Sequence, residues 1–398
     1  MEQRKQEYGR IDARLKKPGV SFIPCTKLGR DVEFQDLCDN WGFSAVILAN
    51  GAWRDRELGI PGAEQFVDKG LVYQNPFIYW YNHKNEKSYT GPRYGTPDEV
   101  VVVGGGLASI DVAKVLQLEN YERALRARGI ETNMHELEKK GIPAICKLHG
   151  VRPEDCGVKG CLLIYRRREQ DMPLAQPPDN ATPEQIAKTE SIRQKMLRLA
   201  REKYLFRFQE RRMTAGLLVE DGRLVGLKVA ETRVEGRKAE PIPGSEQELR
   251  APLVISSIGS VPEVIPGVAM KGKYYTFKDE ALPQYLGCEH VFGVGNVVTG
   301  QGNIRVSLIH SREVTMQVIE NYMGVQSGNP DLSGWFSAAE DRGAAQAMAV
   351  EQRVEALPPL SAGAVAQIED RIRTVQQRVG YTADYDTWIA RETPPDLE

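Results

Sequence analysis

The sequence predicts an α/β fold of more than one domain, and three observations carry that expectation. At residues 99–116, "EVVVVGGGLASIDVAKVL", four valines feed three glycines and a helical pattern starts at once. Short buried-strand patterns, "FSAVILANGAW", "CLLIY", "APLVISSIGS" and "HVFGVGNVV", alternate with helical ones, as in a parallel sheet covered by helices. The length of 398 residues exceeds one ordinary core and implies two or three domains.

The elements follow in order. Residues 20–32, "VSFIPCTKLGRDV", alternate apolar and polar side chains like a short strand, and "FSAVILANGAW" is a buried strand running into a turn at Ala49-Asn50-Gly51. Residues 61–97 read as irregular and aromatic, with Tyr73, Phe77, Tyr79, Trp80 and Tyr81 serving as a core plug or interface rather than a ring-stacking cofactor box. A new α/β unit opens at Val100 and runs through "CLLIY", a helix over 182–202, a hairpin turning at "EDG", and "APLVISSIGS". The strand "HVFGVGNVV" and the helix "SLIHSREVTMQVIENYMG" follow, then a helical tail broken at Pro358-Pro359. The charged stretches "NMHELEKKGI" and "AVAQIEDRIRTVQQRVG" read as helices packed on their own domain, with docking to a partner as the alternative.

Lys plus Arg total 52 against 54 Asp plus Glu, a formal charge of −2, so no global field favours nucleic acid or an anionic membrane surface. No apolar run reaches the roughly 20 residues that cross a bilayer. The N-terminal "MEQRKQEYGRIDARLKK" lacks the apolar core of a secretion signal, so no membrane span and a cytoplasmic location are expected. The six cysteines, Cys25, Cys38, Cys146, Cys156, Cys161 and Cys288, show neither C-x-x-C spacing nor the close repeats of a zinc or iron–sulfur site. They are expected to be reduced structural thiols, and no metal is expected; Cys156 and Cys161 are the nearest pair along the chain.

The glycine stretch has a physical logic. Gly104 permits a tight turn, and Gly106 lets a pyrophosphate approach the backbone. Gly105, Leu107 and Ala108 complete the turn into the helix, whose free N–H groups face the charge, and Ser109 is small enough to keep helix and strand close. The alternative is a merely tight strand–helix turn. An NAD site would next show an acidic residue about 20 residues on, binding the ribose hydroxyls. Here the second strand is delayed by an insertion at 118–158, and "CLLIY" ends in Arg166, Arg167 and Arg168. A guanidinium fork suits the ribose phosphate of NADP, with a solvated basic strand end as the alternative.

Together, "VVVVGGGLASIDVA", "YRRREQDMP", "VISSIGSVPE" and "FGVGNVVTGQGN", with the upstream "LGRDVEFQDL" and "FSAVILANGAWRDRELGIPG", resemble the glutamate synthase small chain and related FAD-dependent pyridine nucleotide oxidoreductases. The resemblance runs over residues 8–325. It implies two Rossmann-like domains, an NADPH-binding one inserted into an FAD-binding one, with FAD and NADP as cofactors. Hydride would pass directly from nicotinamide C4 to flavin N5, so the protein supplies position and electrostatics and no catalytic side chain is assigned. The resemblance implies flavin contacts at Asn50 and Gly51, then at Gly295, Asn296, Gly302, Asn303 and Ile304, while Gly259 in "VISSIGSVPE" joins the nucleotide contacts. Relatives have Thr where Asn50 stands and Asp where Asn296 stands, so the second contact keeps its hydrogen bonding and loses its charge.

The implied domains are a partial FAD-binding segment at 1–96, an NADPH domain at 97–278, a second FAD segment at 279–330 and a helical tail at 331–398. Relatives begin with a separate glycine fingerprint for the FAD pyrophosphate, and this sequence starts after that point. A truncated chain or misplaced start, or a partner chain supplying the unit, is expected ahead of a domain that has lost flavin, because "GVGNVVTGQGN" keeps its form. The expected function is an NADPH-dependent flavoprotein oxidoreductase with NADPH and a redox partner, family analogy pointing to an iron–sulfur protein or subunit. The rival reading is a non-catalytic NADPH-binding or assembly subunit. A dehydrogenase using NADPH directly is weaker, since no group for substrate proton transfer stands out.

Overall fold

The computed structural model describes residues 2–178, 180–236, 238–279, 282–300, 304–323, 361–382 and 384–392, and these fall into two compact units. Among the described residues no helix is long and apolar enough to cross a membrane.

The unit that carries the glycine turn, expected from the sequence to be the nucleotide unit, comprises Arg54–Asn85 and Tyr89–Ser260. Its sheet has five parallel strands in the order Leu71–Tyr73, Val254–Ser257, Val101–Gly104, Leu162–Ile164 and Arg207–Gln209. Val102 lies between Ile255 and Leu163. Strands covered on both faces need apolar side chains on both, which is why Val101, Val102, Leu163 and Ile164 are all buried. On one face the Leu107–Ala127 helix sets Val112, Ala113 and Leu116 against Val102 and Leu163. On the other, Val101 and Val103 meet Leu224 and Leu227 of an antiparallel hairpin. That hairpin joins Arg212–Glu220 to Arg223–Glu235 through Asp221 and Gly222, both at positive φ, the conformation a two-residue turn requires.

The insertion is structured. Helices Met134–Lys140 and Ile142–Leu148 close a small core of Leu118, Tyr121, Leu125, Leu137, Ile142 and Ile145 with the long helix. Asn133 caps the first of them by accepting the Glu136 N–H at 3.0 Å. "NMHELEKKGI" therefore packs on its own unit.

The other unit is assembled from residues up to Trp53, Glu86–Ser88, and residues from Val261 onward. Strands Val46–Leu48 and Val291–Gly293 pair in parallel, with Leu48 opposite Gly293, over a core of Phe34, Leu48, Tyr275, Tyr285, Val291 and Val297. The helices Ala362–Arg378 and Tyr385–Glu392 close on the N-terminal segment. The Phe22 ring meets Tyr381, Tyr385 and Trp388 edge-on at centroid distances of 6.3, 5.4 and 5.5 Å, and Gln376 Nε2 donates to the Phe22 carbonyl at 2.9 Å.

Three sequence expectations change. Residues 20–32 form no strand beyond an isolated Leu28–Val32 bridge, because Cys25 and Gly29 take positive φ and turn the chain. Residues 61–97 are not irregular throughout: they hold the Leu71–Tyr73 strand and the Gln74–His83 helix. Within that helix Phe77 and Trp80 plug the core while Tyr79 is exposed. The strand is three residues long and enters through Gly70, where a Cβ would stand 2.1 Å from the Leu224 carbonyl oxygen. Residues 54–85 accordingly join the nucleotide unit and 261–278 the other, so the compact units divide at Trp53 and Val261 rather than at 97 and 278. The Pro358-Pro359 break lies outside the described residues.

Candidate functional site

In an open parallel sheet, ligands bind at the carboxyl ends of the strands. At that edge of the nucleotide unit the Val101–Gly104 strand turns through Gly104, Gly105 and Gly106 into the Leu107–Ala127 helix. The three glycines are required for different reasons. A Cβ on Gly104 would stand 2.3 Å from the Ser257 carbonyl oxygen and 2.8 Å from Ser109 Cβ, so helix and strand are as close as backbones allow. A Cβ on Gly105 would enter the Tyr165 ring at 2.2 Å. A Cβ on Gly106 would meet no atom of the described residues within 4 Å beyond its own chain neighbours.

No side chain caps the helix, so the amides of Leu107 and Ala108 open it without a side-chain acceptor. Ser109 is fully buried and turns its hydroxyl back onto the Gly106 carbonyl at 2.6 Å. The result is an open, electropositive cradle walled by Gly106 and closed behind by Gly104 and Gly105.

The next strand, Leu162–Ile164, ends beside this cradle and delivers the arginines, which have different duties. Arg168 is committed to Asp171, its Nε donating to Oδ2 at 2.9 Å. Burial pushes the Asp171 carboxyl up, but the bonds from Arg168 outweigh it and leave the group below its ordinary value. Arg167 donates through Nε to Tyr165 Oη at 3.0 Å and through Nη2 to the Asp171 carbonyl at 2.9 Å. Arg166 is exposed, and its guanidinium makes no hydrogen bond or ion pair among the described residues, while its carbonyl accepts from Thr232 Oγ1 at 2.7 Å.

Gly259 follows the Val254–Ser257 strand at φ +93° and accepts the Arg56 N–H at 3.0 Å. Alongside, Ser257 Oγ donates to Gln74 Oε1 at 2.5 Å, and Asn75 Nδ2 donates to Ser260 Oγ at 3.0 Å. The Asn75 N–H bonds the Asp55 carboxylate at 3.2 Å. Burial pushes the Asp55 carboxyl up to about 6, with that bond opposing. Sequence reasoning passed over Asp55 and Tyr165, because an acid and a tyrosine at strand ends carry no motif.

In the other unit, Asn50 and Gly51 follow the Val46–Leu48 strand, and Gly295 and Asn296 follow Val291–Gly293. The Val294 N–H donates to the Leu48 carbonyl at 3.0 Å, so both turns leave one edge side by side. Gly295 at φ +68° donates its N–H to His310 Nδ1 at 3.0 Å, and burial holds that imidazole below its ordinary value. Asn50 spends its amide on Tyr275 Oη at 3.1 Å. Asn296 Oδ1 is buried without a hydrogen-bond partner among the described residues, a costly arrangement that a ligand hydroxyl would relieve. Ile304 begins the Ile304–Gln317 helix, whereas Gly302 and Asn303 lie outside the described residues.

No protein-family model matches the chain. Over 104 residues it is 38% identical to the mitochondrial NADPH:adrenodoxin oxidoreductase of Arabidopsis thaliana, covering 26% of this chain and 20% of that protein. Over 254 residues it is 25% identical to the NADPH-Fe(3+) oxidoreductase subunit beta of Geobacter sulfurreducens, covering 62% of this chain and 28% of that one. A glutamate synthase [NADPH] small chain of Mycobacterium tuberculosis is 33% identical over 116 residues, 27% of this chain and 23% of that protein. The chain thus spans between 20% and 28% of the length of these relatives. Among solved structures, FprA, an oxidoreductase of Mycobacterium tuberculosis, superposes with a TM-score of 0.62 at 18% identity over 94% of this chain and 78% of its own. The same protein in complex with NADPH gives 0.58 at 19% identity over 84% and 76%. The fold is therefore the α/β fold of FprA.

Proposed function

Since the chain is related by sequence to FAD-dependent pyridine nucleotide oxidoreductases, we propose that it works in an NADPH-dependent flavoprotein that passes hydride from NADPH to FAD and electrons onward to an iron–sulfur or iron acceptor. The observation that carries this reading is the open cradle at Gly106 beside the uncommitted guanidinium of Arg166. The cradle would hold the pyrophosphate on the Leu107 and Ala108 amides and Arg166 would hold the ribose phosphate, with Arg167 positioned by Tyr165 Oη and the Asp171 carbonyl. Gly259 borders the same edge.

Asn296, whose Oδ1 has no partner among the described residues, would hold FAD by accepting a hydrogen bond from a ribityl hydroxyl, with Gly295 and the Asn50-Gly51 turn leaving the same strand edge. When bound, FAD supplies the acceptance of hydride from nicotinamide. The residues of this chain bind and orient, and no catalytic acid or base is assigned. Relatives that act on adrenodoxin or Fe(3+) support the acceptor class. A cytoplasmic location is supported by the six cysteines, all free of disulfide bonds, as suits a reducing compartment.

The test measures NADPH binding, flavin content after incubation with FAD, and NADPH-driven reduction of ferricyanide, with and without a supplied N-terminal FAD-fingerprint segment. NADPH binding, with yellow colour and reductase activity in at least the supplemented sample, is expected. NADPH binding that never brings flavin under either condition overturns the oxidoreductase reading in favour of a binding or assembly subunit.

A further inference from the structure

The glycine turn and the arginine segment share one side chain. Tyr165, the first residue after the Leu162–Ile164 strand, is buried and belongs to the apolar core of its unit. Its ring lies against Gly105, where a Cβ would stand 2.2 Å from Cε2 and 2.3 Å from Cδ2, so the middle of the turn rests on the ring. Its hydroxyl serves the arginines. Oη accepts from Arg167 Nε at 3.0 Å and donates to the Asp171 carbonyl at 3.0 Å, and that carbonyl also accepts from Arg167 Nη2 at 2.9 Å. Three hydrogen bonds thus close a ring.

The backbone behind this ring is pinned. The Tyr165 N–H donates to the Gln209 carbonyl, the Tyr165 carbonyl accepts from the Arg212 N–H and the Arg167 carbonyl from the Arg211 N–H, each at 2.9 Å. Arg167 is left only its side-chain torsions, and bonds from two of its nitrogens fix those. Burial pushes the Tyr165 phenol up, with the Arg167 bond opposing, so the hydroxyl keeps the proton it gives to Asp171. Arg167 Nη1 makes no hydrogen bond among the described residues and keeps both protons for a ligand.

We propose that Tyr165 is a positioning residue that sets nucleotide specificity, one rigid side chain that seats the glycine turn and aims the Arg167 fork for a phosphate on the ribose of the dinucleotide held there. This role presupposes the NADPH reading above and adds to it the group through which Arg167 discriminates. A guanidinium held in advance loses little freedom when it meets a phosphate. Without the hydroxyl it keeps its charge but is held through Nη2 alone, and the cost of ordering it falls on the NADPH complex. NADH lacks that phosphate and gains nothing from the hold.

The experiment titrates the full chain and its variants with NADPH and with NADH by quenching of protein fluorescence, with a thermal melt of each. Tyr165→Phe keeps the ring against Gly105 and removes the hydroxyl. It is expected to weaken NADPH binding roughly three- to tenfold, the worth of one hydrogen bond, and to leave NADH binding unchanged. In the Arg167→Ala background the same substitution is expected to cost NADPH nothing further, because the hydroxyl acts through that arginine. A hydroxyl that only supported the fold would move both nucleotides alike, and in both backgrounds. A wild-type chain that prefers NADPH, together with a Tyr165→Phe chain of unchanged preference, overturns the role of Tyr165 and leaves the NADPH reading standing. An equal NADPH loss with and without Arg167 does the same. A wild-type chain that binds both nucleotides equally overturns the NADPH reading itself, and the role of Tyr165 falls with it. Arg167→Lys decides the matter should Tyr165→Phe not fold. Lysine keeps the charge and lacks the fork, so it is expected to lose the preference for NADPH, and full retention of that preference overturns the proposal.

Discussion

Arg166→Ala tests the nucleotide reading most directly, because the structure separates this residue from its neighbours. Arg168 is held by Asp171, and Arg167 spends Nε and Nη2 on Tyr165 Oη and the Asp171 carbonyl at 3.0 and 2.9 Å. The exposed guanidinium of Arg166 makes no hydrogen bond or ion pair among the described residues, and alanine keeps the carbonyl that accepts from Thr232 Oγ1, so removing the side chain leaves the contacts of the fold in place. A charge-assisted bond to a ribose phosphate contributes about 1.5–3 kcal/mol, which is roughly a tenfold to 150-fold loss of NADPH affinity. NADH has no such phosphate and should bind the variant as it binds the wild type. Titration of each nucleotide by quenching of protein fluorescence, with a thermal melt in parallel, reads both quantities. Arg167→Ala should also weaken NADPH binding but lower the melting temperature as well, since Tyr165 and the Asp171 carbonyl lose their donor. An equal loss for NADH and NADPH in Arg166→Ala, or no loss for either, refutes the NADP assignment.

The two inner glycines should fail in opposite ways. Gly105→Ala drives a methyl into the Tyr165 ring and should cost about 1–3 kcal/mol of stability in chemical denaturation. Gly106→Val points into open space and should leave the denaturation curve in place while abolishing binding of either nucleotide, so normal NADPH binding there would move the phosphate cradle elsewhere. Asp55 has its carboxyl raised to about 6, so between its ordinary value of 3.8 and about 6 the folded state holds more protons than the unfolded one. Stability should fall as pH rises through that window, and Asp55→Asn should be more stable than wild type at pH 7 by roughly 1–2 kcal/mol after allowance for solvent screening, with no difference near pH 3. Identical pH profiles would show that Asp55 is not strained. Phe22→Ala removes three edge-on ring contacts between the N-terminal segment and the C-terminal helices and should cost about 1–3 kcal/mol, read as faster proteolysis within 361–392. Unchanged proteolysis would mean that those helices are held by other contacts.

Local pattern was enough for the nucleotide strand and its turn, because their requirements are local. Four valines need a strand buried on both faces, and a Gly104-Gly105-Gly106 turn into a helix needs no distant partner to be recognised. The same holds for the hairpin at Asp221-Gly222 and for the capped helix Pro183–Tyr204, whose Thr182 and Gln185 form a reciprocal cap. Position along the chain was also enough to set Arg166, Arg167 and Arg168 at a strand end beside the glycines. Tertiary structure alone decided which guanidinium is free, since Tyr165 and Asp171 claim two of the three only after the chain turns back on itself. It decided that Leu71–Tyr73 is an edge strand, because three residues carry no period and acquire their identity from pairing with Val254–Ser256. It also decided which cysteines share a core: Cys38 and Cys288, 250 positions apart, belong to one apolar cluster, to which spacing in the sequence is blind.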